Sequence, residues 1–232
     1  MQNKVIFNND GTNMTFRSYV SKVFVYVALG LLISGVFSFV IASRIEILFS
    51  FGLIGVFLPM ILEIVIAIYF TSKLMTMSKQ TAYICYFLYS VLTGISLSTI
   101  FVVYSIGNIM FAFASTSVLF VCMAVLGNNT AFDLTKASSY LSFGLIGIII
   151  ATLLNLLIFK SSSLDLIISY IAIIIFLVLI AYDMQKLRNL YNNGMSDGDL
   201  YDKLLIFGSF QLYLDFINLF LRILQVFSRR KD

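Results

Sequence analysis

Histidine and tryptophan are missing from all 232 residues of this chain, and Pro59 is its one proline. Without histidine the commonest metal ligand and the usual switch near neutral pH are gone, so a proton-sensitive device here is built from carboxylates. Cysteine is scarce as well. Cys85 and Cys122 lie in different hydrophobic stretches without motif spacing, and read as small buried apolar residues rather than a disulfide or a zinc site. Only 11% of the residues are charged, against roughly a quarter in a soluble domain. These absences exclude a sizeable soluble fold and a histidine-based metal centre. The net charge of +4 is small. It reads as basic residues flanking membrane spans, with no basic face for nucleic acid.

What fills the chain is apolar: 60% hydrophobic residues and a mean hydropathy of +1.00. Seven stretches reach the ~20 residues that a ~30 Å hydrocarbon core requires. They are Val20–Ala42, Phe51–Thr71, Thr81–Tyr104, Ile109–Gly127, Tyr140–Phe159, Leu164–Lys186 and Lys203–Phe227. The runs lack the alternation of barrel strands, so the predicted fold is an all-α integral membrane protein of seven transmembrane helices in a single domain. Short connections make neighbouring spans antiparallel. The first apolar run is too long for a signal-peptide core and is expected to remain as a span. Gly30 with Ser34, Ser90 with Gly94, and Gly144 with Gly147 mark expected helix contacts. Asn128 and Asn129 read as loop residues. Lys and Arg are concentrated in the segments on the N-terminal side, with only Arg44 and Lys160 in the opposite loops. That places the N-terminus in the cytoplasm, although Arg229, Arg230 and Lys231 then fall outside against the trend.

The last span carries a polar stripe. Gln211, Asp215, Asn218, Arg222 and Gln225 fall in one narrow sector of a helix whose other faces are Leu, Ile and Phe. Asp215 lies near mid-span, where a charge costs roughly 2.5–3.5 kcal/mol and needs a partner. Asp183, near the end of the sixth span, is a candidate partner. It reads equally well as an interfacial carboxylate pairing with Lys186. The predicted boundaries leave Asp215 about two turns deeper than Asp183, which a longer sixth span would correct. Two carboxylates at close range in a poorly solvated site cannot both ionise cheaply, so such a pair shares one proton and titrates as a pair. Ionised, it offers oxygens to a hard cation such as Ca²⁺. Two carboxylates fall short of the roughly six to eight oxygens of a tight site, which suits transient occupancy on a permeation path. The Gly194–Lys203 loop, with Asp197, Asp199 and Asp202, lacks the calcium-loop pattern. Ser196 or Asp197 is expected to cap the helix that follows.

YLDFINLFLRIL (Tyr213–Leu224) closely resembles the last-helix signature of the transmembrane Bax-inhibitor-motif family, and LIAYDMQKL (Leu179–Leu187) is similar to its sixth-span motif. PMILEIVI (Pro59–Ile66), LTGISLSTI (Leu92–Ile100) and AVLGNNTAFDLTKAS (Ala124–Ser138) resemble further family segments in order. The resemblance implies seven helices with the last one central and six wrapped around it. It also implies a paired-aspartate pH sensor on Asp183 and Asp215, and the activity of the bacterial branch, a pH-sensitive calcium leak of the cytoplasmic membrane. Glu63 matches an acidic position in the second span and, with Gln211 and Asn218, is a candidate for the ion path. Relatives latch the aspartates with an arginine near the inner end of the second span. Here Lys73 stands in that neighbourhood, a point charge without the bidentate fork; Arg222 is a second basic candidate for the latch.

The leading reading is therefore a proton-regulated leak with Ca²⁺ as the permeant ion, transiently held by Asp183 and Asp215, with no cofactor and no chemical step. Its partners are the bilayer, protons and the calcium ion. A di-aspartyl intramembrane protease is disfavoured, because Leu212, Tyr213 and Leu214 precede Asp215 where a glycine-rich pattern belongs. The alternative is a non-conducting regulator of stress or cell death that binds a membrane partner such as a quality-control protease.

Overall fold

A computed structural model describes residues 6–7, 13–130, 133–192 and 198–228. A two-rung antiparallel ladder, β1 (Ile6–Phe7) with β2 (Asn13–Met14), precedes the helices. They follow as α1 (Phe16–Ala42), α2 (Ile45–Ser50), α3 (Gly52–Lys73), α4 (Lys79–Leu97), α5 (Ile100–Val103), α6 (Ile106–Asn129), α7 (Ser138–Leu154), α8 (Ser162–Asn192) and α9 (Gly198–Ser228). Seven of the described helical segments are long and apolar enough to cross a bilayer, α4 and α5 counting together as one. The protein is an all-α, multi-pass membrane protein.

Local chemistry accounts for the helix ends. Thr15 caps α1 by accepting from the Ser18 amide at 3.3 Å, and Ser78 caps α4 by accepting from the Thr81 amide at 3.2 Å. Gly52 takes φ +58° at the break between α2 and α3, where a Cβ would be strained. The end of α7 loosens into one π-turn, Asn155–Phe159, and Lys160 closes it in the left-handed conformation. The Asn155 side chain then holds Ser161 at both backbone groups, donating to its carbonyl and accepting from its amide at 3.0 Å each.

Several boundaries differ from the sequence reading. Hydropathy ends the sixth span at Lys186, yet α8 continues to Asn192 because buried Leu187 and Tyr191 carry the apolar face onward. The last helix begins at Gly198 rather than Lys203. Asn128 and Asn129 belong to the last turn of α6 instead of a loop. Ser196, Asp197 and the basic tail from Arg229 onward lie outside the described residues.

The helices gather into two compact units. The first holds α1 to α5 and α9 up to Tyr213. Its main seam is α1 on α4, and glycine makes it close. A Cβ on Gly94 would lie 2.7 Å from the Ser34 carbonyl oxygen, and one on Gly30 would strike the Tyr86 ring. The Phe70, Tyr86, Tyr89, Phe210 and Tyr213 rings pack edge-on and tilted beside it, with centroids 5.0–6.4 Å apart. The second unit holds α6, α7, α8 up to Asn189 and α9 from Leu214. Here Gly127 of α6 lies directly on the backbone of Ala181 in α8. Of the expected glycine pair in α7, Gly144 meets Ile175, whereas Gly147 has open space beside it. By buried share of its apolar window, the last helix leads at 61%, against 11–44% for the other six.

Candidate functional site

Asp183 and Asp215 both belong to the second unit. Each is 7% exposed. Their neighbours along the helices explain this: Ile180, Ala181, Met184 and Leu187 of α8, and Leu212, Phe216 and Leu219 of α9, are all buried. A carboxyl at either position is carried inside by apolar residues that must be inside. The two carboxyl groups lie within hydrogen-bonding reach of one another. The Lys186 amine, one turn beyond Asp183, interacts electrostatically with both. No donor among the described residues reaches the buried Oδ2 of Asp215. Two carboxyls facing each other are joined by a hydrogen bond only when one of them carries the proton.

The turn of α8 that bears Asp183 is fixed on both sides. Gln185 Oε1 accepts from the Leu134 amide at 2.8 Å, and the Arg188 guanidinium donates to the Asn128 carbonyl at the end of α6. Together with the Gly127–Ala181 contact, these bonds hold the acid at one depth. The extension of α8 to Asn192 removes the offset expected from the shorter span.

The remaining predicted residues are distributed differently. Glu63 sits in α3, in the first unit, and accepts hydrogen bonds from Thr93 Oγ1 at 3.4 Å and from Ser96 Oγ. Tyr213 also meets Thr93 there, and its hydroxyl lies 2.6 Å from that of buried Ser34. Gln211 is half-buried. Asn218 is exposed, and its amide bonds back to the Leu214 carbonyl at 2.8 Å. Lys73 is exposed at the end of α3. Arg222 has other company than the aspartates. Its Nη2 donates to Thr152 Oγ1 at 3.2 Å and its Nη1 to Gln225 Oε1 at 3.3 Å. A latch by Arg222 on the aspartate pair is therefore absent from this conformation.

Sequence reasoning missed the setting of that arginine. Gln225 Nε2 donates to Asp165 Oδ2 at 2.6 Å, and Ser169 Oγ donates to Gln225 Oε1 at 2.7 Å. Beside them is a cavity of about 540 Å³ lined by Thr152, Asn155, Lys160, Ser161, Asp165 and Gln225 among others. The signal was present: Arg222 and Gln225 already stood on the stripe, and Asp165 opens the neighbouring span. Among the described residues no three His, Cys, Asp or Glu side chains gather as a metal cluster.

These features define a polytopic membrane protein with an acid pair enclosed between two of its spans. Residues 16–232 match the family described as inhibitor of apoptosis-promoting Bax1. The chain is 40% identical over 220 residues to an uncharacterized protein of Borreliella burgdorferi, covering 93% of this chain and 94% of that one. It is 40% identical to the uncharacterized protein RP147 of Rickettsia prowazekii, covering 95% and 94%. It is 34% identical to the inner membrane protein YbhL of Escherichia coli, with 93% of each chain covered. The chain belongs to the Bax inhibitor-1-like family.

Proposed function

We propose that this protein is a pH-sensitive leak for cations, calcium foremost, across the bacterial cytoplasmic membrane, with its N-terminus in the cytoplasm. The observation that carries the reading is the Asp183–Asp215 pair: two carboxyls from neighbouring spans, each 7% exposed, facing one another. With one shared proton, the pair binds α8 to α9 and carries a single negative charge. Loss of that proton removes the bond and leaves two like charges in a poorly solvated site. Their repulsion biases the two helices apart, and the same oxygens attract a cation. Transport follows without a chemical step or a cofactor.

The sign follows from that sequence of events. The shared proton holds the path shut, so flux rises as pH rises through the titration of the pair. The test is calcium flux into dye-loaded proteoliposomes as a function of pH, for wild type and Asp215→Asn. An amide replaces the titrating carboxyl without changing its shape, so the variant is expected to conduct equally at every pH. A variant that keeps the wild-type pH profile removes the proposal.

A further inference from the structure

The acid pair belongs to the second unit, and the first unit holds a cavity of its own, about 400 Å³, lined by α1, α4 and α9. Its most buried lining residues are Tyr201 and Leu205 of α9. Half-buried Tyr26 of α1 and Tyr83 of α4 join them, their hydroxyls 3.3 Å apart. A tyrosine of an ordinary aromatic belt stands at headgroup level to anchor its helix. Here three rings enclose a volume within the roughly 300–1,000 Å³ of small-molecule sites. The face that α1 turns to the cavity is graded. Ser18, Ser21, Lys22, Val25 and Leu29 share one sector of the helix and pass from polar to apolar over roughly 16 Å.

Charge sorts the possible guests. Asp202 lines the cavity and pairs with Lys79 at 3.6 Å. The Lys22 amine lies 5.9 Å from the centroid of the Tyr201 ring, and no carboxylate among the described residues forms an ion pair with it. Two amines against one carboxylate leave the site with one positive charge. A guest bearing an ammonium would find the acid engaged and a face of Tyr201 already covered by Lys22. A phosphate diester carries the single negative charge that is missing, and its oxygens accept from an amine and from hydroxyls. The exposed Val25 and Leu29 continue the same face as a bed for an acyl chain. In the orientation proposed above, this end of α1 lies at the cytoplasmic leaflet, whose surface is anionic. We propose that the cavity is a binding site for an anionic phospholipid, its phosphate on Lys22 beside Ser18 and Ser21 and its chain along Val25 and Leu29.

The test is native mass spectrometry of the full-length protein in detergent, titrated with phosphatidylglycerol and separately with phosphatidylcholine of the same chains. Wild type is expected to hold phosphatidylglycerol the more tightly. Lys22→Gln should weaken that binding on the order of fivefold and leave phosphatidylcholine unchanged, and Lys22→Arg should restore it. Ser21→Phe fills the mouth from an exposed position without touching a charge, and should lose the preference too; it decides the matter if Lys22→Gln fails to fold. Lys203→Gln removes an amine that donates to the Met75 carbonyl at 3.2 Å and lines no part of the cavity, so it should bind as wild type does. Equal binding of the two lipids by wild type overturns the proposal, as does undiminished phosphatidylglycerol binding in the folded variants. A loss in Lys203→Gln equal to that in Lys22→Gln overturns it as well, because the attraction then belongs to the basic surface and not to the cavity. Glycerol 3-phosphate that binds as tightly as the lipid makes this a site for a free phosphate, and the lipid assignment falls.

Discussion

Glu63 and Asp215 both lie within apolar spans of this protein, and their surroundings could hardly differ more. Glu63 is partly buried and is met by two hydroxyl donors, Thr93 and Ser96 of α4. Asp215 is more deeply enclosed, and no donor among the described residues reaches its Oδ2. What it faces is Asp183. Hydroxyls satisfy a carboxylate as an anion, because each donates a proton that it keeps. A second carboxyl does so only by sharing a proton that either can release. Glu63 therefore has donors of its own within the first unit, whereas Asp215 is met by a second carboxyl.

The largest expected difference between them is functional. Asp215→Asn should flatten the pH profile of calcium flux in proteoliposomes, whereas Glu63→Gln should lower flux at every pH and leave the profile's midpoint in place. If Glu63→Gln moves the midpoint as Asp215→Asn abolishes it, the two acids are one titrating system and the contrast fails.

How far these sites were legible depended on what each one uses. The spans, the polar stripe and Asp215 came directly from hydropathy and a 100° period, because apolar length and periodicity are local properties. The partner role of Asp183 was half legible. Its spacing to Lys186 offered an ordinary ion pair, and both relationships are present in the structure: the lysine acts on both acids at once. The continuation of α8 past Lys186 was hidden by Lys186, Arg188 and Asn189, polar residues that lower hydropathy without breaking a helix. Nothing in the sequence placed Thr93 and Ser96 against Glu63, because hydroxyls are common in membrane helices and only the α3–α4 contact selects these two. The packing glycines were visible as a pattern whose members could not be ranked. Gly94 proved to be closed against backbone and Gly147 to be open, while Gly127, closed on the Ala181 backbone, stood outside that pattern.

Packing supplies the next prediction. Gly127 touches the backbone of Ala181, two residues before Asp183, and a side chain there must push α6 from α8. Gly127→Val should cost about 3 kcal/mol of stability, read as unfolding in a detergent denaturation series, and should also raise flux at pH values where the wild type is shut. Gly147→Val, with open space at its Cβ, should cost much less. The Glu63 site responds through its donors. Ser96→Ala should cost about 1–3 kcal/mol, the penalty of leaving part of a buried carboxylate unbonded, without changing the pH dependence of flux. Equal stability of Ser96→Ala and wild type would mean that water replaces the hydroxyl, and that Glu63 is wetter than its partners suggest.

The smallest effect belongs to Tyr213, the last residue of α9 in the first unit. Its ring is fully buried between aromatic neighbours, and its hydroxyl lies 2.6 Å from Ser34 Oγ, which itself donates to the Ser90 carbonyl at 2.7 Å. Tyr213→Phe keeps the ring and removes one interhelical hydrogen bond, worth about 0.6 kcal/mol on average between membrane helices. Ser34 retains its bonds to the Gly30 and Ser90 carbonyls, so no donor is orphaned and the loss should stay near that value. Ser34→Ala removes the same bond from the other side together with the Ser34 bonds to the Gly30 and Ser90 carbonyls, and leaves the buried tyrosine hydroxyl to Thr93 and Ser90, so it should cost more. The order of these two variants in a denaturation series decides which of the two hydroxyls holds more of the network. If Tyr213→Phe is the costlier, Tyr213 is doing more in that network than its contact with Ser34, and the thread from Glu63 through Thr93 becomes the place to look.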